Sequence, residues 1–156
     1  MNFKFKNLIT SILISTRPKQ WTKNLLIYLP LLFSVNESWQ FSDISSFQPL
    51  FIKTTIAYIA FCMITGAVYI INDLLDIKHD KVHPVKSKRP IAAMSISPNS
   101  AIISAIILFG AGIIIAYFIN VQVLAAFLFY IGLMLSYSMI LKHHLYVDVL
   151  SISIGF

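Results

Sequence analysis

The chain has 156 residues, 58% of them hydrophobic and only 12% charged, with mean hydropathy +0.80 and net charge +6. Soluble domains carry roughly 25% charged residues, so this composition excludes one and implies a membrane protein. The bases lie in short clusters between apolar runs, which makes the surplus charge a topology signal and excludes nucleic acid as a partner.

No repeat, low-complexity tract or soluble linker divides the chain, and residues 1–156 read as one membrane domain or part of one. Lys4, Lys6, Arg17, Lys19 and Lys23 precede the first apolar span, so the N-terminus is expected in the cytoplasm. The run Leu8 to Ile14 is too short and too basic at its end for a cleavable signal; residues 1–23 suit an interfacial amphipathic helix. Leu25 to Val35 is apolar but short for a span of about 20 residues, and must take in Arg17 to Asn24 to cross. Asn36 to Gln48 holds Glu37 and Asp43 and no base, which assigns it to the outer face, with Trp39 and Phe41 at the headgroups.

Pro49 to Ile71 is the second span, running inward, with Lys53 snorkelling near its outer end. Lone Cys62 lies in it, which excludes a disulfide framework and marks that residue as packing. An inner loop from Ile77 to Pro98 carries Lys78, Lys81, Lys86, Lys88 and Arg89, and its prolines limit helix. Asn99 to Ile119 is the third span, where Gly110 and Gly112 allow close helix contacts. Asn120 is the turn into a fourth span, Val121 to Leu141, and Lys142-His143-His144 returns the chain to the cytoplasmic side. The apolar run after Asp148 stops at Phe156, too short to cross roughly 30 Å of hydrocarbon as a helix. The expected fold is therefore all-α: a polytopic membrane helix bundle of four transmembrane helices, a truncated fifth and an N-terminal interfacial helix, in the cell's inner (plasma) membrane.

Chemistry is concentrated at the inner end of the second span, in Asn72-Asp73-Leu74-Leu75-Asp76-Ile77-Lys78-His79-Asp80. On one helix, Asn72, Asp76 and Asp80 stack at i, i+4 and i+8, each step advancing roughly 6 Å. Stacked carboxylates repel unless a cation sits among them, so the ladder suits a metal-bound diphosphate. Asp73 points about 100° away from Asn72 and either caps, orients or ligates. The four inner-side histidines give no zinc pattern, and carboxylates suit a harder ion.

Asn72-Asp73-x-x-Asp76-x-x-x-Asp80, with Arg89-Pro90 following, resembles the first aspartate-rich signature of the UbiA family of intramembrane prenyltransferases. Within the family the chain is most similar to the branch that moves a 5-phosphoribosyl group from phosphoribosyl diphosphate to a polyprenyl phosphate. The matching blocks are Arg17-Pro18-Lys19-Gln20-Trp21-x-Lys23-Asn24, His83-Pro84-x-Lys86-x-x-Arg89-Pro90-Ile91-Ala92 and Tyr137-Ser138-x-x-Leu141-Lys142-His143. The resemblance implies nine transmembrane helices and a second aspartate-rich loop in a C-terminal half, which a separately encoded chain could supply. It also implies a role in building cell-wall or lipid-linked sugars.

In the implied reaction, charge on the departing diphosphate must be neutralised as it develops. Mg²⁺ accepts one or two carboxylates plus substrate phosphates, so the resemblance assigns Asp76, Asp80 and Asn72 to it, the two aspartates being the catalytic pair. Lys23, Lys86, Arg89, Tyr137, Lys142 and Arg17 are the candidate substrate-binding residues, whereas Lys78, Lys81 and Lys88 need only topology to explain them. Phe61, Tyr69, Tyr117 and Phe127 either line a lipid groove or simply pack. Two alternatives stand: a prenyl diphosphate to aromatic acceptor transferase, and a non-catalytic remnant or half-protein.

Overall fold

The computed structural model describes residues 2–139, with side chains from 8 to 138. Among these residues every regular element is helical, in the order α1 (Asn2–Ser15), a 3₁₀ helix (Pro18–Tyr28), α2 (Leu29–Phe33), α3 (Ile44–Leu75), α4 (Ile77–Val82), a 3₁₀ turn (Lys86–Lys88), α5 (Pro98–Ile119) and α6 (Val121–Met139). Three of them, α3, α5 and α6, are long and apolar enough to cross a membrane. The expected polar return at Lys142 to His144 and the run after Asp148 lie outside the described residues.

The N-terminal helix is shorter than expected and has a chemical stop. Proline disfavours helix in the residue before it, and Arg17, preceding Pro18, adopts the left-handed conformation at φ 54, ψ 65. The hydroxyls of Ser15 and Thr16 donate back to the carbonyls of Ser11 and Leu13, both at 2.8 Å, easing the end of α1.

The expected first span departs most from the sequence reading. It is a 3₁₀ helix of 11 residues followed by five α-helical ones. At about 2.0 Å per 3₁₀ residue and 1.5 Å per α residue, the pair reaches roughly 30 Å, close to the hydrocarbon thickness. Laid end to end the pair would have the length that Leu25 to Val35 lacks, but neither element is among the three membrane-length helices. A 3₁₀ run this long is uncommon, and side chains of α3 brace it: Tyr28 Oη donates to Thr55 Oγ1 at 2.9 Å, and Asn24 Nδ2 to Thr65 Oγ1 at 3.1 Å.

The outer loop folds inward around Trp39, which is buried and donates its indole N–H to the Leu31 carbonyl at 2.8 Å; Phe41 is exposed beside it. Asp43 caps α3 by accepting from the Ser45 amide at 3.1 Å. The helix therefore starts before Pro49 and runs about 48 Å. Hydrocarbon offers helices little solvophobic drive to associate, so close van der Waals packing through small residues must hold them together. Ala101, Ala105, Gly112 and Ala116 form such a buried stripe on α5, against Ala60, Ile64, Ala67 and Ile70 of α3. The contact uses Gly112 alone of the expected pair: a Cβ on Gly112 would lie 2.6 Å from Ile64 Cγ1, while one on Gly110 meets nothing within 4 Å. Asn120 makes the expected turn, its Oδ1 accepting from the Val123 amide at 2.7 Å to start α6.

Candidate functional site

The site begins where α3 ends. Asp76 leaves helical geometry at φ −90, ψ 3, closing α3 and opening α4. Asn72, Asp76 and Asp80 consequently do not form one ladder on a continuous helix. Asn72 and Asp76 stay adjacent, with the Asn72 amide donating to Asp76 Oδ2 at 3.4 Å. Asp80 is carried by α4 into a buried position and accepts from Arg89 Nη1 at 2.7 Å.

Arg89 is brought there by the inner loop. His83 Nδ1 accepts from the amides of Val85 and Lys86 at 3.1 and 3.2 Å, rounding the corner after α4. The sealed side chains of Ile91 and Ile96 then anchor the following segment in the cluster of Ala67, Ile70, Ala101 and Ala105. Arg89 immediately precedes this anchor.

Between the two arginines lies Asp73. Its Oδ1 accepts from Arg17 Nη2 at 2.5 Å and Arg89 Nη1 at 3.1 Å, and the two carboxylates involved, Asp73 and Asp80, have side chains only 3% exposed. Taking a carboxylate out of water costs several kcal/mol unless it is paired and hydrogen-bonded. Here two guanidinium groups balance two carboxylates, which makes their burial tolerable. Across from Asp73, the Arg17 guanidinium lies 4.6 Å from the centroid of the Tyr69 ring, a cation–π contact.

Tyr69 connects this ionic cluster to a cavity of about 540 Å³ between the 3₁₀ helix, α3 and α6. Gln20, Lys23, Asn24, Thr65 and Tyr137 are among its polar lining, and Phe61, Phe127, Leu133 and Met134 among its apolar lining. The volume is of the size that holds a small-molecule ligand.

The structure thus gathers Arg17, Arg89, Asp73 and Asp80 in one cluster, Lys23 and Tyr137 in the adjoining cavity, and Asn72 with Asp76 as a pair. Lys86 is on the exposed 3₁₀ turn, and Lys142 lies outside the described residues. Of the four aromatics singled out, Phe61, Tyr69 and Phe127 line the cavity, while Tyr117 is exposed on α5. Sequence reasoning left Asp73's role open and missed Thr65 and Tyr130 of the lining, whereas Gln20, Lys23 and Asn24 came from a block already matched. Asp73's departure from the Asn72 face was the available signal, but its partner Arg17 is 56 residues away.

Among the described residues no three His, Cys, Asp or Glu side chains converge as a metal cage. Mg²⁺ does not demand one, because it retains waters and shares its shell with substrate phosphates. Asn72 and Asp76 fit such a partial, oxygen-donor site; Asp80 Oδ2 is engaged by Arg89.

A bundle of membrane-length helices, with arginines and carboxylates at the end of one and a part-polar, part-apolar cavity beside them, defines an integral membrane protein. Residues 38–156 match the model of the UbiA prenyltransferase family, and the chain belongs to that family. It is 31% identical over 97% of its length to decaprenyl-phosphate phosphoribosyltransferase of Mycolicibacterium smegmatis, covering 46% of that protein. The same-named protein of Corynebacterium glutamicum is 33% identical over 97% of the chain and is covered to 44%. The nodulation protein NoeC of Azorhizobium caulinodans is 31% identical over 62% of the chain, with 28% of that protein covered. The chain spans about half the length of the phosphoribosyltransferases it matches.

Proposed function

We propose that the chain forms one half of a membrane transferase that moves a 5-phosphoribosyl group from phosphoribosyl diphosphate to a polyprenyl phosphate. The observation that carries this reading is the paired arginines next to a cavity with both polar and apolar walls. A lipid phosphate needs both: basic donors for its head and apolar surface for its chain. The names of the mycobacterial and corynebacterial relatives describe that same chemistry.

In the reaction, a phosphate oxygen of the lipid forms a bond to ribose C1 while the bond from C1 to the diphosphate oxygen breaks. The diphosphate departs with the electron pair. Arg17 and Arg89 offer N–H donors to its oxygens, a geometry that favours phosphate, and Lys23 adds a mobile charge from the cavity wall. Tyr137 can donate its hydroxyl within that cavity. Mg²⁺, held by Asp76 and Asn72 with Asp80 nearby in sequence, would neutralise the charge that develops on the leaving group. Lys86 adds charge from the 3₁₀ turn after α4, and Lys142 is a further basic candidate. The site faces the cytoplasm of a plasma membrane, because the basic inner loop joins α3 to α5. A second aspartate-rich loop, on a C-terminal half in the same or a separate polypeptide, completes it.

The test is a chimaera in which residues 1–156 replace the corresponding half of the Mycolicibacterium smegmatis relative. Membranes containing it receive labelled phosphoribosyl diphosphate, polyprenyl phosphate and Mg²⁺, and the expected product is lipid-linked label. The chain without that half is expected to give none. A chimaera that leaves the lipid unlabelled while the parent protein labels it refutes the proposal. Transfer from a prenyl diphosphate to an aromatic acceptor would assign the chain to the prenyl branch instead.

A further inference from the structure

We infer that Asp73 is a positioning residue that fixes Arg17 and Arg89 as a paired receptor for diphosphate, and that it does not ligate the metal. The identity of the anion rests on the function proposed above; the geometry does not. Asp73 sits in the aspartate-rich stretch, where a metal role would be the first expectation. Its carboxylate, however, is buried against two guanidinium groups, with one oxygen taking a hydrogen bond from each. A hydrated dication needs near-octahedral oxygen geometry and room for its waters, and two cations already flank this group.

Each guanidinium has five N–H donors in a planar fork. The carboxylates engage Nη2 of Arg17 and Nη1 of Arg89, and the two arginine side chains remain 29% and 26% exposed. Each therefore has surface left for a second anion. Arg17 is also held in a way that stability alone does not require. Its left-handed backbone is disfavoured for a non-glycine residue, and the Tyr69 face fixes the guanidinium from another side. Strained backbone retained beside a cavity is the pattern of a preorganised site. Preorganisation matters because a flexible arginine must be ordered by the ligand, at the ligand's expense in affinity.

The experiment titrates the full chain in detergent micelles with inorganic diphosphate, with and without Mg²⁺, alongside a melting curve for each variant. Asp73→Asn is expected to weaken binding roughly tenfold or more, while Mg²⁺ still enhances what binding remains. Arg17→Lys leaves Asp73 paired with Arg89 and is expected to weaken binding comparably without lowering Tm to the same degree. The double variant should lose less than the sum of the two single losses, because Asp73→Asn acts in part through the guanidinium that Arg17→Lys has already removed.

Three results overturn the inference: loss of the Mg²⁺ enhancement in Asp73→Asn, wild-type affinity in a variant whose Tm alone has fallen, or strictly additive losses. A wild-type chain that binds no diphosphate overturns it as well. Asp73-dependent diphosphate binding together with a failed lipid-labelling experiment would remove only the phosphoribosyl reading.

Discussion

Gly66→Ala tests whether the position of Arg17 is set by the crossing of α3 and the turn that follows α1. A Cβ on Gly66 would lie 2.8 Å from Thr16 Cβ and 3.0 Å from Thr16 Cγ2. Thr16 would have to retreat by about 0.6 Å, from 2.8 to the 3.4 Å at which ordinary contact begins. It has little freedom to do so: it is buried, its hydroxyl donates to the Leu13 carbonyl, and its own carbonyl accepts from Trp21 Nε1. Overpacking of this kind costs about 1–3 kcal/mol, offset by a gain of up to about 1 kcal/mol for alanine over glycine in a helix. With the full offset the net expectation is a loss of up to about 2 kcal/mol, read as a lower Tm in micelles. Because Arg17 is the next residue, its guanidinium should also shift, and diphosphate affinity should fall roughly tenfold, the equivalent of about 1.4 kcal/mol, about the worth of one charged hydrogen bond. Thr16→Gly removes both clashing atoms and leaves the nearest, Cα, at 3.6 Å, so it should restore binding; Thr16→Ser keeps the 2.8 Å clash and should not. Equal rescue by the two, or an unaltered Gly66→Ala protein, refutes the reasoning.

Gly112→Ala should destabilise the α3–α5 contact by about 1–3 kcal/mol, whereas Gly110→Ala, whose Cβ meets nothing, should be neutral or gain up to about 1 kcal/mol; resistance to proteolysis in micelles ranks the two. Asp76→Asn or Asp80→Asn in the complete enzyme should cut turnover by at least ~100-fold, checked by lipid labelling at saturating Mg²⁺. Truncation separates those two carboxylates: Asp80→Ala strips Arg89 of a buried partner and should cost about 3 kcal/mol of stability as well, while Asp76→Ala should lower Tm less. Chelation of Mg²⁺ should stop transfer without moving the Tm of the chain, because the buried pairs are made between its own side chains.

Span positions and helix class were legible because charge clusters and apolar run lengths are local properties of sequence. Asn120 could be read as a turn, and the second, third and fourth spans fell within a few residues of α3, α5 and α6. Pro49 misled as a start signal: proline is tolerated early in a helix, and Asp43 provides the cap further upstream. The stretched 3₁₀ helix left no periodic signature that could be separated from an α-helix over so few turns. At the site, Lys23 and Tyr137 were legible through their motif blocks, and the cavity holds both. The placement of Asp80 was not, because a ladder at i, i+4, i+8 assumes an unbroken helix, and the break at Asp76 depends on where the inner loop is anchored by Ile91 and Ile96. Gly110 and Gly112 differ only in which face they occupy.

The charge balance of the site constrains which ligand it can take. Arg17 and Arg89 are offset by Asp73 and Asp80, and Lys23 and Asp76 add one charge of each sign. The buried cluster of two arginines and two aspartates has no surplus positive charge of its own to draw a bare diphosphate out of water, and among the described residues no three His, Cys, Asp or Glu side chains converge as a cage for bare Mg²⁺. Under the function proposed above the two together would be the better match: the metal would offset the anion's charge, Asp76 and Asn72 would meet the metal, and the arginines would meet the phosphate oxygens. Binding of Mg²⁺ and diphosphate should therefore be strongly cooperative, and linkage requires the enhancement factor to be the same whichever is added first. With a coupling of about 1–3 kcal/mol, that factor is roughly 5- to 150-fold. Titrations in both orders measure it. Equal affinity for diphosphate with and without Mg²⁺ would show that the arginines act as a simple anion trap, and the balance of charges would not then be what selects the ligand.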